Sequence, residues 1–224
     1  MTRAPGVEVF PIGLVIAGRR CLVVGGGAVA ARKIASLLRC GASVTVVAPE
    51  VHEAVAALAE DGSIAAIDGE PLDVQLRPYR AGEAGDYRLV IAATGDPAVD
   101  RAVHHDAEAA GVWVNSADDL DHCSAVLPAV HRDGAVSVAV STGGTSPALA
   151  SWLRDRLAGA LGPGLGDLAK LLAEGRAALQ ARGRPTSTVD WRGLLDGPLP
   201  DLVARGRIDE ARQIIHTAIN SPLQ

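Results

Sequence analysis

The chain has 224 residues, of which 48% are hydrophobic and 21% charged, a composition typical of a globular protein and unlike that of a disordered one. Its formal net charge of −5 offers no basic surface to a nucleic-acid backbone, so we expect no nucleic-acid partner. No apolar run reaches the roughly 18 residues of a membrane span, so we expect no membrane association. Three widely spaced cysteines match neither a disulfide framework nor a zinc site, which favours a reducing, cytoplasmic setting.

Short apolar segments alternate with helical ones over the first half of the chain. The segment 20–25 ends in glycine and predicts a buried strand, and Gly41 ends the helix predicted at 28–39. Further strands are predicted at 43–47, weakly at 63–67, at 87–93 and at 112–115, with helices at 51–60 and from Pro97 up to Gly111. This alternation predicts an α/β fold, a parallel sheet with right-handed crossovers.

The pattern changes beyond residue 120. Two β-rich runs, 124–130 and 135–141, flank the dipeptide Asp133-Gly134, which predicts a hairpin between them. A hairpin appended to a parallel sheet has open edges, and open edges favour pairing with a second chain.

The remainder of the chain is predicted to be helical. Ser146 followed by Pro147 is typical of a helix N-terminus, and leucines recur at every fourth position after it. The polar stretch 182–188 predicts a loop, and 207–219 predicts a last amphipathic helix. The sequence thus predicts three segments: a Rossmann-like domain over 1–116, a β-rich dimerisation segment over 117–145 and a small helical domain over 146–224.

A glycine-rich turn joins the first predicted strand to the first helix. Gly25 to Ala30 fits the motif G-x-G-x-x-A, in which the first glycine permits a tight turn and the second lets the backbone approach a pyrophosphate. The helix N-terminus then offers free N–H groups to the phosphates. The motif predicts a dinucleotide-binding turn with Gly25 and Gly27 at its centre, and a purely structural tight turn is the alternative.

The ends of the second and fourth strands would line the same nucleotide crevice. Glu50, the acid nearest the end of the second strand, is placed either to hold a ribose hydroxyl or to open the next helix. No arginine stands there to meet a 2′-phosphate, which favours NAD over NADP. Thr94, at the end of the fourth strand, either hydrogen-bonds the cofactor or ends the strand.

An acidic segment, 115–119, follows the fifth strand at the edge where open α/β sheets bind ligands. A carboxylate facing a nicotinamide there can act as general base, and an Asx turn with solvated acids is the alternative. His122 and Cys123 match no metal-site spacing and are interpreted as structural, while His104 and His105 are expected on a helix surface. We therefore predict no metal site.

A second glycine loop, 142–147, leads into the helical part of the chain. Its glycines and the helix N-terminus behind it can cradle a carboxylate or a phosphate. A flexible strand-to-helix turn is the alternative.

Five segments in this order carry a family resemblance: Pro11-Ile12-Gly13-Leu14, then Cys21 to Lys33, Leu89 to Thr94, Asn115 to Asp118, and Leu127-Pro128 with Val138 to Ala150. Over roughly residues 10–160 they resemble the precorrin-2 dehydrogenase family, the N-terminal module of siroheme synthase. The segment 141–147 is the most specific of these, because generic Rossmann enzymes lack it.

The resemblance implies NAD-dependent oxidation of precorrin-2 to sirohydrochlorin by a homodimer that assembles through the middle β segment. The catalytic aspartate of the family falls on Asp118, and its cofactor contacts fall on Ala28, Val29, Pro49 and Glu50. We expect the carboxylate-rich substrate to contact Ser141, Thr142, Gly143, Thr145 and Ser146. Some members also insert ferrous iron into sirohydrochlorin. A nucleotide-sensing module without turnover and another small-molecule NAD dehydrogenase are the alternatives.

Overall fold

The computed structural model describes residues 6–60 and 72–220, which belong to two units. The first unit holds the described residues up to Leu127 together with Gly143–Thr145, and the second holds Pro128–Thr142 and the described residues from Ser146 on. The first unit contains β1 (Arg20–Val24), α1 (Ala28–Arg39), β2 (Ser43–Ala48), α2 (Glu53–Glu60), β3 (Leu72–Leu76), β4 (Leu89–Ala92), α3 (Pro97–Ala109) and β5 (Trp113–Ser116), with 3₁₀ turns at Glu83–Asp86 and Leu120–His122. The second contains β6 (Ala129–Asp133), β7 (Val136–Val140), α4 (Pro147–Leu161), α5 (Leu165–Ala181), a 3₁₀ turn at Thr186–Thr188, α6 (Trp191–Asp196), α7 (Leu199–Ala204) and α8 (Ile208–Asn220).

The strands of the first unit form a parallel sheet in the order β3-β2-β1-β4-β5. The chain order reverses between β1 and β4, and Val24 at the end of β1 pairs with Val47 on one side and Ala92 on the other. The carboxyl ends of these strands therefore meet at one edge, where open α/β sheets bind their ligands. This topology confirms the predicted Rossmann-like α/β architecture.

The third strand of this sheet is Leu72–Leu76, which pairs with Val44–Ala48 of β2. The strand predicted at 63–67 lies outside the described residues. Leu72 and Val74 alternate with polar residues and pack against the core, as expected for an edge strand with one buried face.

Two apolar cores cover the two faces of the sheet. Val23 and Ile91 pack with Ile34 of α1 on one face, and Leu22 packs with Val103 of α3 on the other. Because these strands are buried on both faces, their sequences are continuous apolar runs rather than alternating ones.

The second unit combines a hairpin with helices. β6 and β7 pair antiparallel around Gly134, whose φ of 56° suits the glycine of the predicted Asp-Gly turn. Helices α5, α7 and α8 enclose a core that includes Leu179 and Leu199. The short helices α6 and α7 were not predicted, since six residues each are too few to show a helical period. Within the described residues, none of the helices combines the length and apolarity needed to cross a membrane.

Asp133 links the hairpin to the helices. Its Oδ2 accepts hydrogen bonds from the backbone N–H groups of Gly164, at 2.9 Å, and of Leu165, at 2.8 Å, where α5 begins. Asp133→Ala removes this acceptor from both donors, so we expect the free energy of unfolding to fall by about 1–3 kcal/mol, measured by urea denaturation. Asp133→Asn keeps an accepting oxygen and should lose less. Equal losses in the two variants would contradict the importance of these hydrogen bonds.

Candidate active site

The glycine loop is held by close backbone packing. Gly25 has a φ of 117°, and a Cβ there would overlap the carbonyl oxygen of Ala93, just beyond β4. A Cβ on Gly26 would likewise overlap the carbonyl oxygen of Glu50, which follows β2. Glycine at both positions therefore lets the loop pass between the ends of these two strands.

Gly27 faces open space instead. A Cβ there would have no protein atom within 4 Å, and Gly27 is the N-cap of α1 in an extended conformation. No side chain caps α1 and its first turn carries no acidic residue, so the N–H groups of Ala28 and Val29 have no acceptor on the helix itself. An open approach to an uncapped helix N-terminus fits the pyrophosphate of a dinucleotide.

The predicted cofactor contacts outside the glycine loop differ in their exposure and in their hydrogen bonds within the protein. Pro49 and Glu50 are exposed, and because α2 begins only at Glu53, the Glu50 carboxylate is not in its first turn. The hydroxyl of Thr94 donates to Asp100 Oδ1 at 2.8 Å. Thr94 stays a predicted cofactor contact, but its hydroxyl proton is already engaged within the protein.

The sequence predicts no arginine at the end of β2, where the ribose of the cofactor is expected. In the structure Arg77 lies beside that strand end. The backbone N–H of Arg77 donates to the carbonyl of Ala48 at 3.0 Å. Its guanidinium makes two hydrogen bonds to the carboxylate of Glu83, at 3.0 and 2.7 Å. This cation is thus paired with a carboxylate within the protein, a bidentate arrangement that is among the stronger ion pairs.

Asp118 occupies a left-handed turn directly after β5. Its φ is 62°, and it is the one non-glycine residue within 6–60 and 72–220 whose φ is positive. Such a conformation costs about 1–3 kcal/mol for most residues, although aspartate and asparagine tolerate it better. Asp118 is exposed at the carboxyl edge of the sheet. The turn therefore holds a carboxylate at the position where the sequence predicts a general base.

Cys123 closes the base of the loop that carries Asp118. Its Sγ accepts from the backbone N–H of Ser116 at 3.2 Å and lies 3.2 Å from the carbonyl oxygen of Asp119, to which it can donate. Burial raises the pKa of this thiol, which keeps it protonated and able to donate. These contacts agree with the structural interpretation of Cys123.

Asp119 is not the solvated acid that its position suggests. Its Oδ2 lies 2.8 Å from Nδ1 of His122, and the ring of His122 stands edge-on to His104 of α3, with centroids 5.0 Å apart. His104, expected at the surface, is half-buried, and its Nδ1 is a buried atom without a hydrogen-bond partner among the described residues. His105 is exposed. No three His, Cys, Asp or Glu side chains of the described ranges are arranged to hold a metal ion.

The second glycine loop contacts the Asp118 loop. Gly144 has a φ of 79°, and a Cβ there would lie 2.7 Å from the methyl groups of Leu120. Gly143 has a φ of 59°, and its carbonyl accepts from the N–H of Val7 at 2.9 Å. The structure therefore brings part of the predicted substrate segment next to the turn of the predicted base.

Two hydroxyls of the predicted substrate segment have partners inside the protein. The hydroxyl of Thr142 accepts from the backbone N–H of Ser146 at 3.1 Å, and the hydroxyl of Ser146 accepts from the N–H of Leu149 at 3.2 Å as the N-cap of α4. They shape the loop and begin the helix. Contacts from Ser141, Thr142, Gly143, Thr145 and Ser146 to a substrate stay predictions.

Lys33 is a candidate site residue that the motifs did not single out. It is half-buried on α1, and burial, with a smaller effect of Arg32, lowers the pKa of its amine. The Asp118 carboxylate opposes this shift, because it stabilises the charged amine. Two sequence signals mark Lys33: it is one of only two lysines in the chain, and it ends the segment Cys21 to Lys33 that carries the family resemblance.

Two family models match the chain. A model described as "Putative NAD(P)-binding" matches residues 12–129, and one described as "Sirohaem biosynthesis protein central" matches residues 133–160. The first covers the glycine loop and Asp118, and the second begins in the hairpin and covers the segment 142–147.

Similar proteins agree with these models. The siroheme synthases of Nitrosococcus oceani and Chromobacterium violaceum are 37% and 41% identical to the chain over 215 and 207 residues, which are 95% and 92% of this chain but 44% and 42% of theirs. The chain thus spans less than half the length of these curated relatives. A solved structure titled "SirC, precorrin-2 dehydrogenase" is 26% identical with a TM-score of 0.70, and the match covers 93% of this chain and 100% of that one.

Proposed function

The chain belongs to the siroheme synthase and precorrin-2 dehydrogenase family, whose fold binds a nicotinamide dinucleotide, and on that premise we propose that it oxidises precorrin-2 to sirohydrochlorin with NAD. The reaction removes two electrons and two protons from the tetrapyrrole. The cofactor supplies the chemistry of hydride acceptance, so one hydride leaves with it and one proton must go to a base or to water.

The observation that carries the proposal is the placement of Asp118. Its carboxylate stands on a left-handed turn at the carboxyl edge of the sheet, next to the loop that holds Gly144. In the proposed reaction Asp118 accepts the proton that the tetrapyrrole loses. Lys33 lies close enough to Asp118 for their charges to interact, an interaction that acts to raise the pKa of the Lys33 amine.

The proposed cofactor contacts divide between phosphates and ribose. The backbone of Gly25, Gly27, Ala28 and Val29 would hold the pyrophosphate, and Pro49 and Glu50 would lie at the adenosine ribose. A carboxylate at Glu50 repels a 2′-phosphate, and Arg77, which stands at the same strand end, is paired with Glu83. Both features support NAD over NADP.

Anaerobic incubation of the purified chain with precorrin-2 tests the function. With NAD as cofactor, the fluorescence of the reduced nicotinamide and the absorbance of sirohydrochlorin should rise together. With NADP both signals should rise much more slowly. Dinucleotide binding without any NADH would overturn the proposal in favour of a sensing module.

We place this reaction in the cytoplasm, the compartment that the cysteine content favours.

We expect the chain to form a homodimer through its hairpin. Among the described strands, β6 and β7 pair only with each other, so each hairpin strand has one edge without a partner strand. Such edges favour pairing with a second copy. Sedimentation equilibrium at micromolar concentration should give twice the chain mass of 22.9 kDa. A species of the single-chain mass would defeat this expectation.

A further inference from the structure

The loop that carries Asp118 leaves β5 and returns to it within a few residues. At its base, the hydroxyl of Ser124 accepts from the N–H of Val114 at 3.0 Å, and the N–H of Ser124 donates to the carbonyl of Val114 at 2.9 Å. Together with Cys123 these bonds close the base of the loop on the strand. Cys123 also reaches the outer part, where Asp118 holds its left-handed conformation, because its Sγ can donate to the carbonyl of Asp119, 3.2 Å away.

The outer part of the loop has a separate clamp, formed by Asp119 and His122. Besides the 2.8 Å contact between their side chains, the N–H of His122 donates to the carbonyl of Asp119 at 3.3 Å. The clamp therefore starts at the residue next to Asp118 and closes one short turn later.

The clamp rests on α3 through the ring of His122. This ring is nearly perpendicular to that of His104, with an interplanar angle of 87° and a centroid distance of 5.0 Å, and His105 lies 6.3 Å away. An edge-on contact of this kind is favourable between aromatic rings. Because α3 packs against β5, the clamp connects the turn of Asp118 to the rigid part of the unit.

We propose that Asp119 and His122 are positioning residues for the reaction proposed above, holding the left-handed turn so that the Asp118 carboxylate stands in place for proton transfer. The inference rests on the proposed function. Without the clamp the turn keeps the 3.5 Å bond from the N–H of Asp119 to the carbonyl of Ser116 and the contact of Cys123 with Asp119, but it loses its side-chain restraint. The Asp118 carboxylate is then freer to move from its position. A misplacement of about 1 Å can lower a rate by about 10²-fold, even when the reacting groups are all present.

Single-turnover oxidation of precorrin-2 with saturating NAD tests the clamp. His122→Ala and Asp119→Ala should each lower the rate constant by about 10- to 100-fold, with the KM for precorrin-2 nearly unchanged, because only the placement of the base is altered. His122→Asn keeps an N–H near the position of Nδ1 and should recover most of the rate. His105→Ala, on α3 beside the clamp, is the matched control and should behave as wild type.

Hydrogen exchange gives a second readout that does not depend on turnover. Amides of residues 117–122 should exchange faster in His122→Ala than in wild type, and those of the β1 and β4 strands should not. Unchanged rate and exchange in His122→Ala, or His122→Asn as slow as His122→Ala, would overturn the positioning role. If wild type itself produces no NADH from precorrin-2, the proposed function fails and the inference fails with it, whatever the variants do.

Discussion

Asp118→Asn is expected to lower the single-turnover rate of precorrin-2 oxidation by about 10²–10⁴-fold, the usual contribution of a positioned general base. Asparagine tolerates the left-handed backbone, at φ 62°, as well as aspartate does, so the turn keeps its shape while the carboxylate is lost. The glycine loop is untouched, and NAD affinity measured by calorimetry should stay at the wild-type value.

The control for this experiment is Asp121→Asn, an exposed acid on the same loop. It should leave the rate close to that of wild type, since it alters the local charge equally without removing the base. A rate for Asp118→Asn within about threefold of wild type, far short of a general-base effect, would show that the acid is only a turn residue.

Gly27→Asp should weaken NAD binding by at least about 100-fold while the fold stays intact. The new carboxylate would stand at the N-terminus of α1, where the pyrophosphate is expected, and would add charge repulsion to steric exclusion. The same change does no harm to the protein itself. A Cβ at Gly27 has no atom within 4 Å beyond its neighbours in the chain, and the extended backbone there suits aspartate as an N-cap.

Two measurements and a matched control variant test this prediction. Calorimetry gives the NAD affinity, and thermal unfolding should show a midpoint equal to or slightly above that of wild type, as expected for a better N-cap. Gly27→Asn is the matched control, equal in size but uncharged, and should bind NAD more tightly than Gly27→Asp. NAD affinity equal to wild type in Gly27→Asp would remove the loop from the cofactor site.

The parts of the fold that could be predicted are those with strong local signals. The helix predicted at 28–39 has the bounds observed, because a glycine turn precedes it and Gly41 follows it. The sheet follows from apolar runs that are buried on both faces. The edge strand Leu72–Leu76 and the short helices α6 and α7 have weaker local patterns, and their structure depends on tertiary packing.

The candidate site residues also divide into those that stand in local motifs and those whose contacts no motif marks. Gly25, Gly27 and Asp118 stand in local motifs at strand ends, which is why the sequence singles them out. The pairings of Asp119 with His122 and of Arg77 with Glu83 join residues only three and six positions apart, but they lie in turns that have no regular period. The contact of Leu120 with Gly144 is set by how the chain folds back on itself. This contact joins residues 24 positions apart.

The backbone at position 118 restricts the choice of side chain before any chemistry does. With a φ of 62°, the turn accepts glycine, asparagine and aspartate readily, and opposes β-branched residues most strongly. Of the three accepted side chains only aspartate carries an ionisable carboxyl group. In a saturation library at this position, selection for folding would therefore retain a small set of residues, and selection for base catalysis would reduce that set to one. Glutamate, one methylene longer and less suited to a left-handed turn, would not be a conservative replacement here.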